Sequence, residues 1–146
     1  ESVVKQYHSI ASETGVDTEL VPIEITESAA IDNENIKALA DRFHSKGFPL
    51  MVDDFGAGYS SLATLNMKCF DTLKIDKSLI DYIGDFSGEK LLEHTIALAK
   101  DLGLNVTAEG VETEEQVDFL RKINCDSIQG YYYSKPLPEQ EFKKLL

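Results

Sequence analysis

Cysteine is scarce in this chain of 146 residues: Cys69 and Cys125 stand alone and far apart. That excludes a disulfide framework or a thiolate zinc site and fits a reducing cytosol, with both residues read as small buried thiols. The three histidines, His8, His44 and His94, fall in helical patterns with no shared ligand spacing, so they are read as surface or packing residues. Basic side chains are also few. Lys and Arg number 14 against 26 Asp and Glu, for a formal net charge of -12 and a pI near 4.6. No Lys/Arg cluster supplies a phosphate footprint, so polymeric nucleic acid and anionic membrane surfaces are excluded as electrostatic partners. No apolar run approaches the roughly 20 residues of a membrane span, and no signal peptide is visible. The expectation is a cytoplasmic domain without direct membrane contact, any tether lying outside this chain.

What is present is enough for one core, at 42% hydrophobic and 27% charged residues. Strand-like runs fall at about 21–26, 48–53, 71–76, 104–109 and 127–132, with helical patterns between them. Asp32 is read as the N-cap of a helix carrying Ile36, Leu39, Ala40 and Phe43 and stopped by Gly47. Ser87 is read as the cap of a second helix, running to Gly103. Thr113 with Gln116 forms a capping-box pattern for a third, and Pro138 opens a last one. Strands alternating with helices predict a parallel sheet with right-handed crossovers. A complete (β/α)₈ barrel takes about 250 residues, so five βα units are expected to be the later part of one, unclosed in this chain. The opening stretch from Glu1 reads as a helix entered partway. The chain is therefore expected to be a piece of one domain, marginally stable or oligomeric alone, with an apolar inner face that absent units would cover.

The strand ends carry the chemistry. Glu24 and Glu27, Asp53 and Asp54, Lys74 and Asp76, Glu109 and Glu112, and Gln129 each stand where an apolar run gives way to a loop. In a parallel sheet these ends share one rim, where α/β barrels keep their active sites. Any one acid alone reads as a solvated rim residue; together they point to divalent cations. Two ions roughly 3.5–4 Å apart need hard oxygen ligands, and Glu24, Asp53, Asp54 and Glu109 are of that type. Alternation of strand side chains puts Lys74 and Asp76 on one side. It separates Asp53, directed inward, from Asp54 at the rim, and Glu24 at the metal from Glu27 in a supporting role. Lys74 fits equally a salt bridge to these acids or a fixed cation that positions water. The loop from Asp54 to Ser61, with Gly56, Gly58, Ser60 and Ser61, is either a flexible turn or a mobile segment tied to metal occupancy. Asp54-Phe-Gly56 lacks the catalytic loop of a kinase, and Gly56-Ala-Gly58 lacks the third glycine of a dinucleotide fingerprint.

Ile23-Glu-Ile-Thr-Glu-Ser28, Asp53-Asp-Phe-Gly-Ala-Gly-Tyr-Ser-Ser-Leu62, Leu73-Lys-Ile-Asp76, Ala108-Glu-Gly-Val-Glu-Thr113 and Gln129-Gly130 with Ser134-Lys-Pro-Leu-Pro138 resemble, in order, the EAL domain family. These are bacterial phosphodiesterases that hydrolyse cyclic di-GMP to linear pGpG. The resemblance implies a modified TIM-like barrel of which residues 1–146 form the C-terminal portion. It implies two Mg²⁺ or Mn²⁺ ions held by Glu24, Asp53, Asp54 and Glu109, with Asp53 bridging. Lys74 resembles the lysine that holds the nucleophilic water, Gln129 a residue supporting that water and Glu109, and Glu27 the glutamate anchoring the Asp54–Ser61 loop. Asp76 belongs to the same site by position. The resemblance further implies a homo-oligomer and fusion to sensory or GGDEF domains. The chain contains no Glu-Ala-Leu signature, so this portion by itself is expected to be inactive. The alternative is a catalytically silent cyclic di-GMP-binding or dimerisation module.

Overall fold

The strand segments alternate apolar and polar residues, as in Ile23-Glu-Ile-Thr26 and Asn105-Val-Thr-Ala108. Parallel strands covered on both faces usually read as continuous apolar runs, so the alternation already implies one apolar and one polar face. A computed structural model describes residues 2–30, 33–58 and 68–145. The expected cap Asp32 and the loop residues Ser60 and Ser61 lie outside the described residues. After α1 (Ser2–Thr14), strands β1 (Ile23–Thr26), β2 (Leu50–Phe55), β3 (Thr72–Ile75), β4 (Asn105–Ala108) and β5 (Ser127–Ile128) form one sheet in chain order. All four pairings are parallel. The helices are α2 (Glu27–Ala30), α3 (Asn33–His44), α4 (Lys77–Ile80), α5 (Phe86–Asp101), α6 (Glu114–Lys122) and α7 (Glu139–Phe142). None is long and apolar enough to cross a membrane, among the described residues.

Register assigns the faces. Ile25, Val52, Leu73 and Val106 align across the sheet, as do Ile75 and Ala108. All six are buried, together with Phe43 of α3, Leu92 and Ile96 of α5, and Val117 and Leu120 of α6. The opposite face carries Glu24, Thr26, Met51, Asp53, Thr72, Lys74, Asn105 and Thr107, the intervening positions. The apolar inner face expected from counting strands is therefore corrected: that face is polar, because the period-2 alternation sends Glu24, Asp53 and Lys74 to it.

The helix termini follow local hydrogen bonding. In α6 the capping box forms as read, Thr113 accepting from the Gln116 amide and Gln116 Oε1 from the amides of Thr113 and Glu112. The cap of α5 is Asp85 rather than Ser87, because the Asp85 carboxylate reaches the Gly88 amide at 2.9 Å. Ser87 is already inside the first turn. The run 127–132 yields only two strand residues, since the chain turns where Gly130 passes against Val111. A Cβ on Gly130 would lie 2.1 Å from the Val111 carbonyl.

The amino ends of the strands are stapled by aspartates. The Asp71 carboxylate accepts from the Leu50 amide at 2.7 Å and from His44 Nε2 at 2.8 Å. The Asp126 carboxylate accepts from the Val106 amide at 2.9 Å and from Lys100 Nζ at 2.7 Å.

Candidate functional site

At the other end of the sheet a lysine takes the place of those backbone amides. Lys74 lies on the polar face of the central strand and its side chain is 6% exposed. Its ammonium is 2.6 Å from Glu24, 2.7 Å from Glu109 and 2.9 Å from Asp53. Glu24 is half exposed, while Asp53 and Glu109 are about a fifth exposed. Burial by itself pulls a lysine pKa down. Here the three carboxylates outweigh it and hold Lys74 above the ordinary lysine value, so the group stays charged at neutral pH.

Backbone geometry explains how two adjacent aspartates meet one lysine. Val52 pairs with Leu73 and Phe55 with Ile75, so Asp53 and Asp54 together oppose Lys74 across a β-bulge. Asp54 takes up the extra residue with φ of 61°, a left-handed conformation that aspartate tolerates better than most side chains. Asp53 is thereby directed at Lys74 and Asp54 is exposed at the rim.

One atom in this cluster is poorly satisfied. Asp53 Oδ1 is buried and has no hydrogen bond of acceptable geometry, although it lies 2.9 Å from the Lys74 ammonium. The contact is an ion pair by distance, with its donor badly aimed. Three carboxylates facing one ammonium leave two negative charges unbalanced, and hard anionic oxygens in excess suit a divalent cation. As the side chains stand, no three His, Cys, Asp or Glu groups converge on a single ligation point among the described residues; the Lys74 ammonium lies within ion-pair distance of three of them. The donor set fits a divalent ion in charge and chemistry, once these carboxylates turn from the ammonium.

The remaining candidates divide. Asp76, one residue past the end of β3, does not join the cluster: it caps α4, accepting from the Ser78 amide at 2.9 Å. Those Ser78 hydrogen bonds, against the opposing effect of burial, hold its carboxyl below the usual aspartate range. Ser78 Oγ also donates to the Gly56 carbonyl at 3.2 Å, and the Asp76 amide to Phe55, so the start of α4 holds the base of the loop that follows Asp53. Gly56 needs to be glycine: its φ is 103° and a Cβ would strike Leu79. Gly58 is exposed with open space around it. Glu27 is buried at the first residue of α2. Glu112 lies near Lys77, at 3.5 Å, and not near Lys74. Gln129 accepts from the Val111 amide through its backbone carbonyl and donates its own amide to Ala108, fixing the segment after Glu109 from the β5 side. Gln129 also borders a pocket of about 320 Å³ lined by Tyr131, Ser134, Lys135 and Phe142 among others. Lys77 was missed by sequence reading, because a lysine one residue beyond an acid-rich strand end carries no motif signal.

The model of a family described as EAL domain matches residues 1–136. The chain is 37% identical to the cyclic di-GMP phosphodiesterase NbdA of Pseudomonas aeruginosa, over 99% of this chain and 19% of that protein. It thus spans about a fifth of the length of that curated relative. Among solved structures, the EAL domain of Mycobacterium smegmatis DcpA superposes with a TM-score of 0.90 at 36% identity, covering 98% of this chain and 65% of that one. Klebsiella pneumoniae BlrP1, solved with manganese and cyclic di-GMP, superposes with a TM-score of 0.85 at 30% identity, over 92% of this chain and 35% of that one.

Proposed function

The chain belongs to the EAL domain family, and from that premise we propose that it forms the C-terminal part of a divalent-metal-dependent phosphodiesterase domain acting on cyclic di-GMP. The observation that carries the proposal is the cluster at Lys74: a buried ammonium facing three carboxylates, one of whose oxygens lacks a well-formed hydrogen bond. The names and bound molecules of the relatives support the substrate and the ion; Mg²⁺ or Mn²⁺ is the proposed cofactor.

Glu24, Asp53, Asp54 and Glu109 would hold the cations. Bound there, divalent ions polarise phosphate oxygens and lower the pKa of coordinated water. The carboxylate rim also needs them because a cyclic dinucleotide is itself anionic and would be repelled by a chain of net charge -12. In this arrangement Lys74 is a cation beside three carboxylates. Its part is to donate hydrogen bonds and to stabilise negative charge developing on the phosphate. Its ammonium lies within ion-pair distance of three carboxylates, so it turns fully toward water only as a carboxylate gives way. The contact we propose gives way is that of Asp53, whose Oδ1 lies 2.9 Å from the ammonium without a well-formed hydrogen bond. Gln129 and Glu27 act as supports, the first by holding the chain after Glu109 and the second as a buried anchor where β1 meets α2. We propose that residues outside this chain complete the metal shell.

The test is hydrolysis of cyclic di-GMP to linear pGpG by the full-length protein containing this chain, with Mg²⁺, with Mn²⁺ and after chelation. Metal-dependent turnover is expected. Tight binding of cyclic di-GMP without turnover in either metal would replace the enzyme with a receptor, and absence of both would refute the proposal.

A further inference from the structure

Glu109 leaves the end of β4, and its carboxylate is useful only where the backbone puts it. From the β5 side the segment Glu109–Glu112 is tied by Val111 donating to Gln129 and Tyr132 donating to Val111. From the β3 side the Glu109 amide donates to the Ile75 carbonyl at 2.9 Å. The next contact on that side is with Lys77. Gly110 has φ of 67°, and a Cβ placed on it would lie 2.6 to 2.8 Å from the Cβ, Cγ and Cδ of Lys77. The aliphatic stem of Lys77 therefore lies flat on the Gly110 backbone, an approach that only glycine permits. Beyond the stem, Lys77 Nζ binds Asp81, the C-cap of its own helix, at 2.8 Å and reaches Glu112 at 3.5 Å, at the far end of the same segment. Stem and ammonium together meet this segment at Gly110 and at Glu112. Lys77 also follows Lys74 by three residues, so one short stretch of chain carries both the ammonium that meets Glu109 and the stem that meets Gly110.

We infer that Lys77 is a positioning residue for the proposed reaction, fixing Glu109 against Lys74 through van der Waals contact with Gly110 and an ion pair to Glu112. The inference rests on the phosphodiesterase reading for its consequence in catalysis, and on packing alone for its consequence in structure. The stem is the larger part, because the ammonium is well exposed and surface ion pairs contribute little. Small displacements of a reacting group are costly, so the effect belongs in turnover and not in substrate affinity.

The experiment compares Lys77→Ala, Lys77→Met and Lys77→Arg by amide hydrogen exchange and by steady-state kinetics in the full-length protein. Lys77→Ala is expected to speed exchange at Glu109, Val111 and Glu112 about tenfold, leaving the Leu50 amide at the opposite end of the sheet unchanged. Turnover should fall about tenfold with KM changed less than twofold. Lys77→Met keeps the stem without the charge and should recover most of both losses; Lys77→Arg should recover them as well. Unchanged exchange in Lys77→Ala overturns the inference, as does faster exchange with unaltered kcat, or a loss that Lys77→Met does not recover. Should the wild-type protein hydrolyse nothing, the phosphodiesterase reading fails by itself, and the exchange measurements still decide whether Lys77 holds this segment.

Discussion

The two ends of the sheet spend their aspartates and glutamates in opposite ways. At the amino end two aspartates are matched: Asp71 takes one backbone amide and one imidazole, Asp126 one backbone amide and one ammonium. At the carboxyl end Glu24, Asp53 and Glu109 share a single ammonium, and Asp53 Oδ1 is left without an aimed donor. Matched acids stabilise a fold, because each buried oxygen recovers the hydrogen bonds it lost to water. Unmatched ones cost stability, and a sheet keeps them where they do chemistry. The contrast follows the general division of α/β barrels into a stability end and an active-site end.

The sharpest way to break this comparison is Asp53→Asn. Full-length Asp53→Asn protein should lose on the order of 10²-fold or more in kcat, while its metal-free unfolding midpoint stays the same or rises, since one of three crowded charges is gone. Turnover near wild type at low Mg²⁺ would remove Asp53 from the metal site. Next in size is Lys74→Met, which strips the shared cation and leaves three carboxylates repelling one another. We expect a loss of about 1–3 kcal/mol without metal, discounted for the partial exposure of the acids, and a thermal midpoint that climbs steeply with added Mn²⁺. A variant as stable as wild type in chelator would show that the ammonium does not balance the cluster.

At the matched end the outcomes reverse. Asp71→Ala frees the Leu50 amide and His44, and should lower stability by about 1–3 kcal/mol in urea titration with turnover per folded molecule unaltered. A changed kcat would dissolve the division between the two ends. Asp126→Asn carries the smallest effect, read through pH. Burial raises this carboxyl, but the Lys100 hydrogen bond and the Val106 amide prevail, so its folded pKa lies below the ordinary aspartate value. A depressed folded pKa gives stability that is present above the unfolded value, near 3.8, and is lost as pH falls through the folded one. Wild type should therefore lose more stability than Asp126→Asn as pH drops below about 4. Parallel acid limbs in urea unfolding at a series of pH values would sink that assignment.

Much of the architecture was legible because its signals are local. Five strand runs separated by helical patterns read directly as a parallel sheet, and the Thr113–Gln116 capping box needs only four residues to be recognised. The cap of α5 was misplaced by two residues because Asp85 and Ser87 are both good acceptors, and only the direction of the Gly88 amide chooses between them. Asp76 read as a site residue on strand parity, yet the strand ends at Ile75 and parity loses its meaning one residue later.

By itself the sequence determined which residues could carry chemistry: four strand-end segments hold Glu24, Asp53, Asp54, Lys74 and Glu109, and alternation puts Glu24, Asp53 and Lys74 on one face. The tertiary structure alone decided their partners. Glu24, Lys74 and Glu109 are separated by fifty and thirty-five positions, and the bulge at Asp53 and the Lys77 contact on Gly110 exist only once β2, β3 and β4 are side by side. The physical reason is reach: propensity and periodicity act over a few residues, while a carboxylate's charge balance depends on whichever neighbours the fold brings within a few ångströms.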